Sequence, residues 1–371
     1  MGTIIERKRA DGSSKFRAQI VIKQSGKIVY QTSRTFDRRP TAKAWLERKE
    51  KELKAPGGLD AVSTPAVTLG EAIDRYTKEN RNGIGDTKAQ VLRTIKNEYE
   101  ISAKRSNEIT SDDIVDLAKQ ISDRPGVSSA STVGNYISHL SAIFDIAFPA
   151  WKIPLDEKAM RDAMKVCKRL GLIASSKKRD RRPELDELDA LLSYFEDRHL
   201  NGRSLPMHKI VTFAIFSTRR ESEITRISWT DFEKNNSRAL VRDMKHPGKK
   251  AGNDIWCELP PEAVRVIDSM GQKDGVDRIF PYHPDTICNS FTNACKFLGI
   301  KDLRFHDLRH EGVSRLFEMG RTIPQVASVS GHKSWQGLQR YSHLRATGDK
   351  YEGWPWLDRI VPAKEADANE G

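Results

Sequence analysis

The most informative region of the chain begins with Ser217-Thr218-Arg219-Arg220-Glu221-Ser222-Glu223-Ile224, in which a glutamate follows an arginine at a spacing of three. Two further segments come later, His306-Asp307-Leu308-Arg309-His310 and Ser330-Gly331-His332. An Arg340-Tyr341 pair ends the series, its tyrosine nine residues after His332. Each motif alone is common, because isolated His and Arg residues on helices are usually surface or capping residues. Their fixed order within one region carries the information.

This ordered set resembles the catalytic motifs of the tyrosine recombinases, the phage integrase family. In that family an R-x-x-E turn, an H-x-x-R helix, a Gly-His pair and an Arg-Tyr dipeptide supply one active site. The resemblance covers residues 182–344, with two departures: Thr218 stands where the family often has Gly, and Ser330 where it often has Leu. Arg219 is the neighbour of Arg220, and the R-x-x-E spacing favours Arg220 as the catalytic arginine.

The resemblance implies a role for each matched residue. The implied catalytic set is Arg220, Lys245, His306, Arg309, His332 and Tyr341. In this set the arginines bind a DNA phosphodiester, and the histidines share proton transfer and hydrogen-bond the phosphate. The lysine protonates the departing 5′-oxygen and the tyrosine is the nucleophile. The family places this lysine at the tip of a β-hairpin, where Lys249 and Lys250 are rivals of Lys245.

The residue types fit this chemistry. A tyrosine has an ordinary pKa near ~10, so it needs its proton removed and its target made electrophilic. Planar guanidinium groups suit the two non-bridging oxygens better than lysines do. Glu223 is expected to support the arginine turn, and His310 and His343 are expected to be helix-surface or packing residues. The sequence lacks a metal-ligand spacing or a phosphate-binding Gly-rich loop, so no cofactor, metal or ATP is implied.

Composition limits the class of partner. The chain has 371 residues, 63 Lys and Arg against 51 Asp and Glu, a net charge of +12, and 37% hydrophobic residues. Residues 1–60 hold 15 Lys and Arg against 7 Asp and Glu, a local excess of +8 (15 − 7). A basic surface attracts a polyanion such as DNA, because phosphate contacts release counterions. No segment is apolar enough for a membrane span or signal sequence, which predicts a soluble protein kept inside the cell. The family resemblance implies the bacterial cytoplasm and association with the nucleoid.

The N-terminal region reads as a small sheet followed by a helix. Phe16, Ala18, Ile20 and Ile22 alternate with polar residues, Ser25-Gly26 forms a turn, and a second strand runs to Phe36. A helix is predicted over 41–53. The predicted DNA-binding residues are Arg17, Lys23, Lys27 and Arg34, on the open face of this sheet, with Lys177, Lys178 and Arg179 in a later linker. The region resembles the arm-binding domain of phage integrases.

The rest of the sequence has mainly the apolar periodicity of helices, so the expected fold class is a multidomain, mainly α protein with small β-sheets. The predicted divisions are 1–56 (arm-type DNA binding), 66–172 (a four-helix core-binding domain), 182–350 (an α+β catalytic domain) and 351–371 (a C-terminal tail). A hairpin is predicted from 239–244 and 254–259. Tyr351, Trp354 and Trp356 are expected either to dock on a neighbouring protomer or to pack on their own chain.

The implied function is site-specific recombination through a 3′-phosphotyrosine that integrates, and also excises, a phage or mobile element. The implied partners are double-stranded DNA with core and arm sites, a homotetramer on that DNA, a host DNA-bending protein and an excisionase. Two alternatives stay open. A type IB-like topoisomerase would use the same tyrosine chemistry without strand exchange, and a catalytically idle DNA-binding regulator would need no nucleophile.

Overall fold

The computed structural model describes residues 2–8, 14–24, 27–54, 67–80, 83–127, 129–176, 179–244, 252–272, 274–341 and 343–360. The chain divides into two compact units, residues 1–178 and residues 179–371. The architecture is mainly helical with two small antiparallel sheets, as the sequence predicted. Among the described residues, no helix is both long and apolar enough to cross a membrane.

The first unit begins with a three-stranded antiparallel sheet covered by a helix. The strands are β1 (Thr3–Lys8), β2 (Ser14–Gln24) and β3 (Lys27–Phe36), in the order β1-β2-β3, followed by α1 (Arg39–Lys54). Alternation along β2 buries Ala18 and Ile20, which cluster with Trp45 and Leu46 of α1. One face of the sheet is therefore covered and the other is left open.

Among the described residues, the rest of the first unit is a bundle of five α-helices. They are α2 (Leu69–Glu79), α3 (Asp86–Glu98), α4 (Ser111–Ser122), α5 (Ala130–Trp151) and α6 (Glu157–Arg169). The apolar periodicity of the sequence predicts four of these helices and does not reveal α6, whose apolar residues are sparse in a charged segment. Its residues Ala159, Ala163 and Cys167 recur every four positions and are buried. Thr110 begins α4 by forming a capping box with Asp113.

The second unit carries the motifs. Its elements are α7 (Leu185–Leu200), α8 (Met207–Ser217), α9 (Glu221–Ile224), β4 (Phe232–Glu233), β5 (Arg238–Val241), β6 (Ile255–Glu258), α10 (Pro261–Met270), α11 (Pro284–Phe297), α12 (Asp307–Glu318), α13 (Ile323–Ser330), α14 (Trp335–Leu338) and α15 (Pro355–Ile360). Every residue of α8 except Lys209 is buried, so this helix forms the centre of the core. Strands β5 and β6 form the predicted hairpin.

The segment after residue 350 belongs to this core. Tyr351, Trp354, Trp356 and Ile360 are buried in the same apolar cluster as α8, and the ring centroids of Phe216 and Tyr351 lie 5.3 Å apart. A tail beginning at residue 351 is therefore wrong for residues 351–360, because these aromatic residues pack on their own chain. Residues 361–371 lie outside the described residues. The other predicted domain boundaries stay predictions.

Candidate active site

The arginine turn follows the end of α8. Thr218 has φ 57°, in the left-handed region that favours glycine, which accounts for the Gly often found at this position in the resembled family. Close packing of α12 on this turn requires Gly312, since a Cβ there would lie 1.9 Å from the Ile215 carbonyl oxygen. The turn and the first half of α12 are thus held backbone to backbone.

Arg219 and Arg220 have different environments although they are neighbours. Arg219 is 1% exposed, and its guanidinium donates to the Ser217 carbonyl oxygen at 3.0 Å, to Cys257 Sγ at 3.0 Å and to the Val329 carbonyl. The Arg220 side chain is 24% exposed. Arg219 therefore ties the turn to β6 and α13, while Arg220 keeps a guanidinium that solvent can reach.

One buried carboxylate links two of the arginines. Arg220 Nη1 lies 2.6 Å from Glu223 Oε1, and Arg309 Nη1 lies 3.8 Å from Glu223 Oε2. Arg309 also donates to the carbonyl oxygens of Thr218 and, at 3.0 Å, Ser330. Burial alone would raise the pKa of Glu223, but Arg219, Arg309 and Arg220 together hold it below its ordinary value.

These contacts leave an excess of positive charge in a small volume. Burial lowers the pKa of the Arg309 guanidinium, and the charges of Arg219 and Arg220 lower it further. Three cations around one anion (3 − 1) leave a net charge of +2, and each of the three arginines acts electrostatically on Glu223. An oxyanion that accepts hydrogen bonds would relieve this repulsion, so the cluster is suited to a phosphate group.

His332 stands beside Arg309. Its Nε2 lies 3.5 Å from Arg309 Nη2, and its Nδ1 is hydrogen-bonded to Ser330 Oγ at 2.7 Å. The serine that replaces the usual leucine of the resembled family thus orients the histidine ring. Burial, followed by the charges of Arg309 and Arg220, lowers the pKa of His332 to about 3, so the ring is neutral at pH 7.

Tyr341 ends a short 3₁₀ turn, Gln339–Tyr341, and is 6% exposed. Its ring stacks on Phe317, and its hydroxyl is hydrogen-bonded to His310 Nδ1 at 2.5 Å. Burial raises the pKa of Tyr341, although Arg340 and Arg309 oppose the shift. From the sequence, His310 is predicted to be a packing or helix-surface residue. Its place directly after Arg309 is the only sequence signal for a role at the site.

His306 precedes α12 and completes the group. Its ring lies edge-on to that of His310, with centroids 5.1 Å apart. Partial desolvation and the charges of Arg220 and Arg309 lower the pKa of His306. The structure thus brings Arg220, Arg309 and His332 together around Glu223, and His306 and Tyr341 together around His310.

The predicted general acid lies outside the described residues. Lys245 and its rivals Lys249 and Lys250 all fall in 245–251, between the ends of the hairpin. Beyond the paired strands, the two sides of the hairpin are joined next to these residues by a hydrogen bond from the Met244 amide to the Asn253 carbonyl oxygen, at 2.9 Å. Within the described ranges, no group of three or more His, Cys, Asp or Glu side chains could hold a metal ion.

Three linker residues are predicted to contact DNA, and the structure describes one of them. Lys177 and Lys178 lie outside the described residues, whereas Arg179 is placed. Its guanidinium forms ion pairs with Asp302 at 2.7 Å and Asp307 at 2.8 Å. Arg179 is therefore engaged with carboxylates of its own unit, and its contact with DNA stays a prediction.

On the N-terminal sheet the predicted basic residues do not share one face. Arg34 pairs with Ala18, which faces α1, whereas Arg17 donates to Ser33 Oγ at 2.9 Å on the open face. Cross-strand partners point to the same side of a sheet, so the predicted common face of Arg17 and Arg34 is wrong. Lys23 is exposed and follows a register shift in β2, and Lys27 begins β3. Their contacts with DNA stay predictions.

Comparison with known proteins agrees with the fold and the motifs. Residues 182–347 match the model of the phage integrase family. The chain is 29% identical to the shufflon-specific DNA recombinase of Escherichia coli over 288 residues, which are 76% of this chain and 70% of that protein. It is 25% identical to the integrase of Salmonella phage P22 over 241 residues, 60% of this chain and 56% of that protein.

A solved structure shares the fold. A lambda integrase dimer bound to a COC′ core site matches with a TM-score of 0.57 and 19% identity, over 92% of this chain and 95% of that one. Together the fold and the motifs define a tyrosine site-specific recombinase, an enzyme of DNA recombination. Over residues 182–347 the chain carries a domain of the phage integrase family.

Proposed function

We propose that this recombinase cleaves and rejoins DNA through a 3′-phosphotyrosine at Tyr341. The phenolic oxygen gives its proton to one of the two histidines, His306 or His332, and attacks the phosphorus; the bond to the 5′-oxygen breaks, and the leaving oxygen takes a proton from Lys245. A 5′-hydroxyl from the partner strand then returns a proton to Lys245 and attacks the phosphotyrosine, and Tyr341 leaves and regains its proton from the histidine. Bond energy is kept in the phosphotyrosine, so the sequence of steps needs no external energy source.

The single observation that carries this proposal is the cationic cluster beside a buried tyrosine. Arg220 and Arg309 flank Glu223, at 2.6 and 3.8 Å, and would bind the non-bridging oxygens of the phosphodiester. Such preorganised donors stabilise charge that develops in the transition state. His332, which lies 3.5 Å from Arg309, and His306 would hydrogen-bond the phosphate and share proton transfer.

A suicide substrate tests the proposal. A nicked core-site duplex loses a short fragment after cleavage, so a covalent complex accumulates and can be seen after denaturing electrophoresis. We expect a protein–DNA adduct that forms in the presence of a metal chelator and without added ATP. The absence of any adduct on DNA that the protein binds would favour a DNA-binding regulator. Cleavage without joining between two duplexes would favour a topoisomerase.

We further propose that the biological reaction is integration, with excision, of a phage or mobile element in the bacterial nucleoid. The name of one relative, a phage integrase, and the basic N-terminal sheet with its helix support this reading. In the proposed assembly a homotetramer holds core sites, and the N-terminal module of each protomer (residues 1–56) holds an arm site. A host DNA-bending protein and an excisionase would assist. Binding two DNA segments raises their effective concentration.

The first prediction concerns this N-terminal module. Deleting residues 1–60 should spare cleavage of a short core-site duplex and sharply reduce recombination between full attachment sites. The reason is that every proposed catalytic residue follows residue 182, whereas the local charge excess of +8 (15 − 7) lies in residues 1–60. Gel-shift and recombination assays with both DNAs would measure the two effects.

A matched pair of full-length variants refines that test. The affinity for arm DNA should fall as salt rises, and each phosphate contact should add about −0.9 to the slope of log affinity against log salt concentration. Removing one contact should make the slope less steep by that amount. Arg17→Gln, on the open face, should flatten the slope. Glu47→Gln on α1, which is exposed and acidic, should not flatten it. A truncated protein that recombines full sites normally would contradict the arm-binding role.

A second prediction identifies the general acid. Lys245→Ala should slow cleavage of an ordinary phosphodiester by about 10²–10⁴-fold, the usual contribution of general acid catalysis. A 5′-bridging phosphorothiolate should restore the rate, because its thiolate leaves without a proton. Lys249→Ala and Lys250→Ala are the matched controls. Rescue confined to either of these controls would move the assignment along the hairpin.

A further inference from the structure

One contact at the site has no part in the proposed chemistry. The Tyr341 hydroxyl and His310 Nδ1 lie 2.5 Å apart, and both residues are largely buried. His310 was not among the six residues matched to the family motifs. It lies in the first turn of α12, directly after Arg309, and its ring also contacts His306.

The direction of this hydrogen bond follows from the surroundings. Burial raises the pKa of Tyr341, so the phenol keeps its proton at pH 7. Burial and the charge of Arg340 lower the pKa of His310 to about 4, so the imidazole is neutral and can accept at Nδ1. In the tautomer that carries its proton on Nε2, the imidazole accepts at Nδ1 and the phenol donates.

The rest of the tyrosine side chain is held from two other sides. Its ring stacks on Phe317, with centroids 6.0 Å apart and planes inclined by 17°. The Arg340 guanidinium lies over the ring at 5.5 Å and also donates to Asp180 Oδ1 at 2.9 Å. Stacking fixes the plane of the ring, and the hydrogen bond to His310 fixes the hydroxyl along α12.

We propose that His310 is a positioning residue for the nucleophile, holding the Tyr341 hydroxyl beside the turn of α12 that carries Arg309. The inference rests on the proposed role of Tyr341 and adds a residue to it. Arg309 acts electrostatically on the tyrosine, so the hydroxyl is kept within reach of the cation that would bind the phosphate. Holding reactants in attack geometry removes entropy from the barrier, and a misplacement of about 1 Å can cost about 10²-fold in rate.

The decisive experiment compares His310→Asn with His310→Gln. The Asn side chain carries an amide atom at the position of Nδ1, whereas Gln moves the amide outward by one methylene. We expect His310→Gln, and the apolar His310→Leu, to slow single-turnover formation of the covalent adduct by about 10²-fold at saturating DNA. His310→Asn should regain most of that rate, because its amide oxygen can accept the hydrogen bond from the phenol.

Three control measurements distinguish a loss of positioning from a loss of DNA binding or of folding. Affinity for the core-site duplex should stay within about twofold, a change of about 0.4 kcal/mol by the relation of affinity to free energy. Thermal unfolding shows that each variant is folded, and if His310→Leu is not, the Asn and Gln pair still decides. His343→Leu, at an exposed histidine two residues after Tyr341, should leave the rate unchanged.

The possible failures are distinct. If wild type forms no adduct, or Tyr341→Phe still forms one, the proposed function fails and not the role of His310. Wild-type or faster cleavage by His310→Leu and His310→Gln would overturn the positioning role and would mean that the contact restrains the nucleophile. Equal losses of rate in the Asn and Gln variants would also overturn the positioning role. That result would mean that His310 takes the phenolic proton itself, which neither amide can do.

Discussion

Tyr341→Phe is expected to abolish covalent attachment of DNA while leaving affinity for a core-site duplex nearly unchanged. Only the phenolic oxygen is lost, and the ring can still stack on Phe317. The lost hydrogen bond leaves His310 Nδ1 without its hydroxyl partner, which costs about 1 kcal/mol of stability. A suicide-substrate assay and a binding titration on the same duplex would measure the two quantities.

Tyr351→Phe is the matched control. Tyr351 is also buried, but its hydroxyl donates to Glu311 Oε1 at 3.1 Å within the core of the unit. The control should lose some stability and keep its adduct. If Tyr341→Phe still forms the adduct and Tyr351→Phe does not, then Tyr351 is the nucleophile and the assignment of Tyr341 is wrong.

The second large effect is on stability. Glu223→Gln should lower the free energy of unfolding of the second unit by about 3 kcal/mol, because it leaves Arg219, Arg220 and Arg309 without their shared anion. This is the lower end of the range for breaking a buried ion pair, since Arg220 is 24% exposed and water screens part of its charge. Denaturant unfolding would measure the loss.

The loss should depend on pH. The folded pKa of Glu223 lies below its ordinary 4.5, so the carboxylate stabilises the fold fully above about pH 4.5. That contribution disappears as the pH falls through the folded pKa and the group takes a proton. The difference between wild type and Glu223→Gln should therefore be constant near neutral pH and shrink in acid.

The exposed Glu352 provides the control for this variant, since Glu352→Gln removes a carboxylate from the same unit. It should change stability by less than about 0.5 kcal/mol. Added sulfate should stabilise Glu223→Gln more than wild type, because an oxyanion can take the place of the missing charge. Equal stability of Glu223→Gln and wild type at neutral pH would contradict the account of the arginine cluster.

Sequence periodicity accounts for much of the observed fold. Alternation at Ala18 and Ile20 predicted the covered face of the first sheet. Helix α6 was missed because charged residues separate its few apolar positions. The face of Arg34 was misjudged because it depends on pairing with Ala18 of another strand, which no pattern within β3 specifies.

By itself the sequence determined the class of the protein, since ordered motifs with fixed spacing identify the residue types that its chemistry needs. Only the tertiary structure decided what Arg219 and His310 do, and that Glu223 also lies near Arg309, because these partners lie far away along the chain. Arg219 reaches Cys257 and Val329, and the Tyr341 hydroxyl meets a histidine 31 residues earlier. Burial, which sets the charge state of each of these groups, arises from packing of the whole unit and is invisible in a spacing.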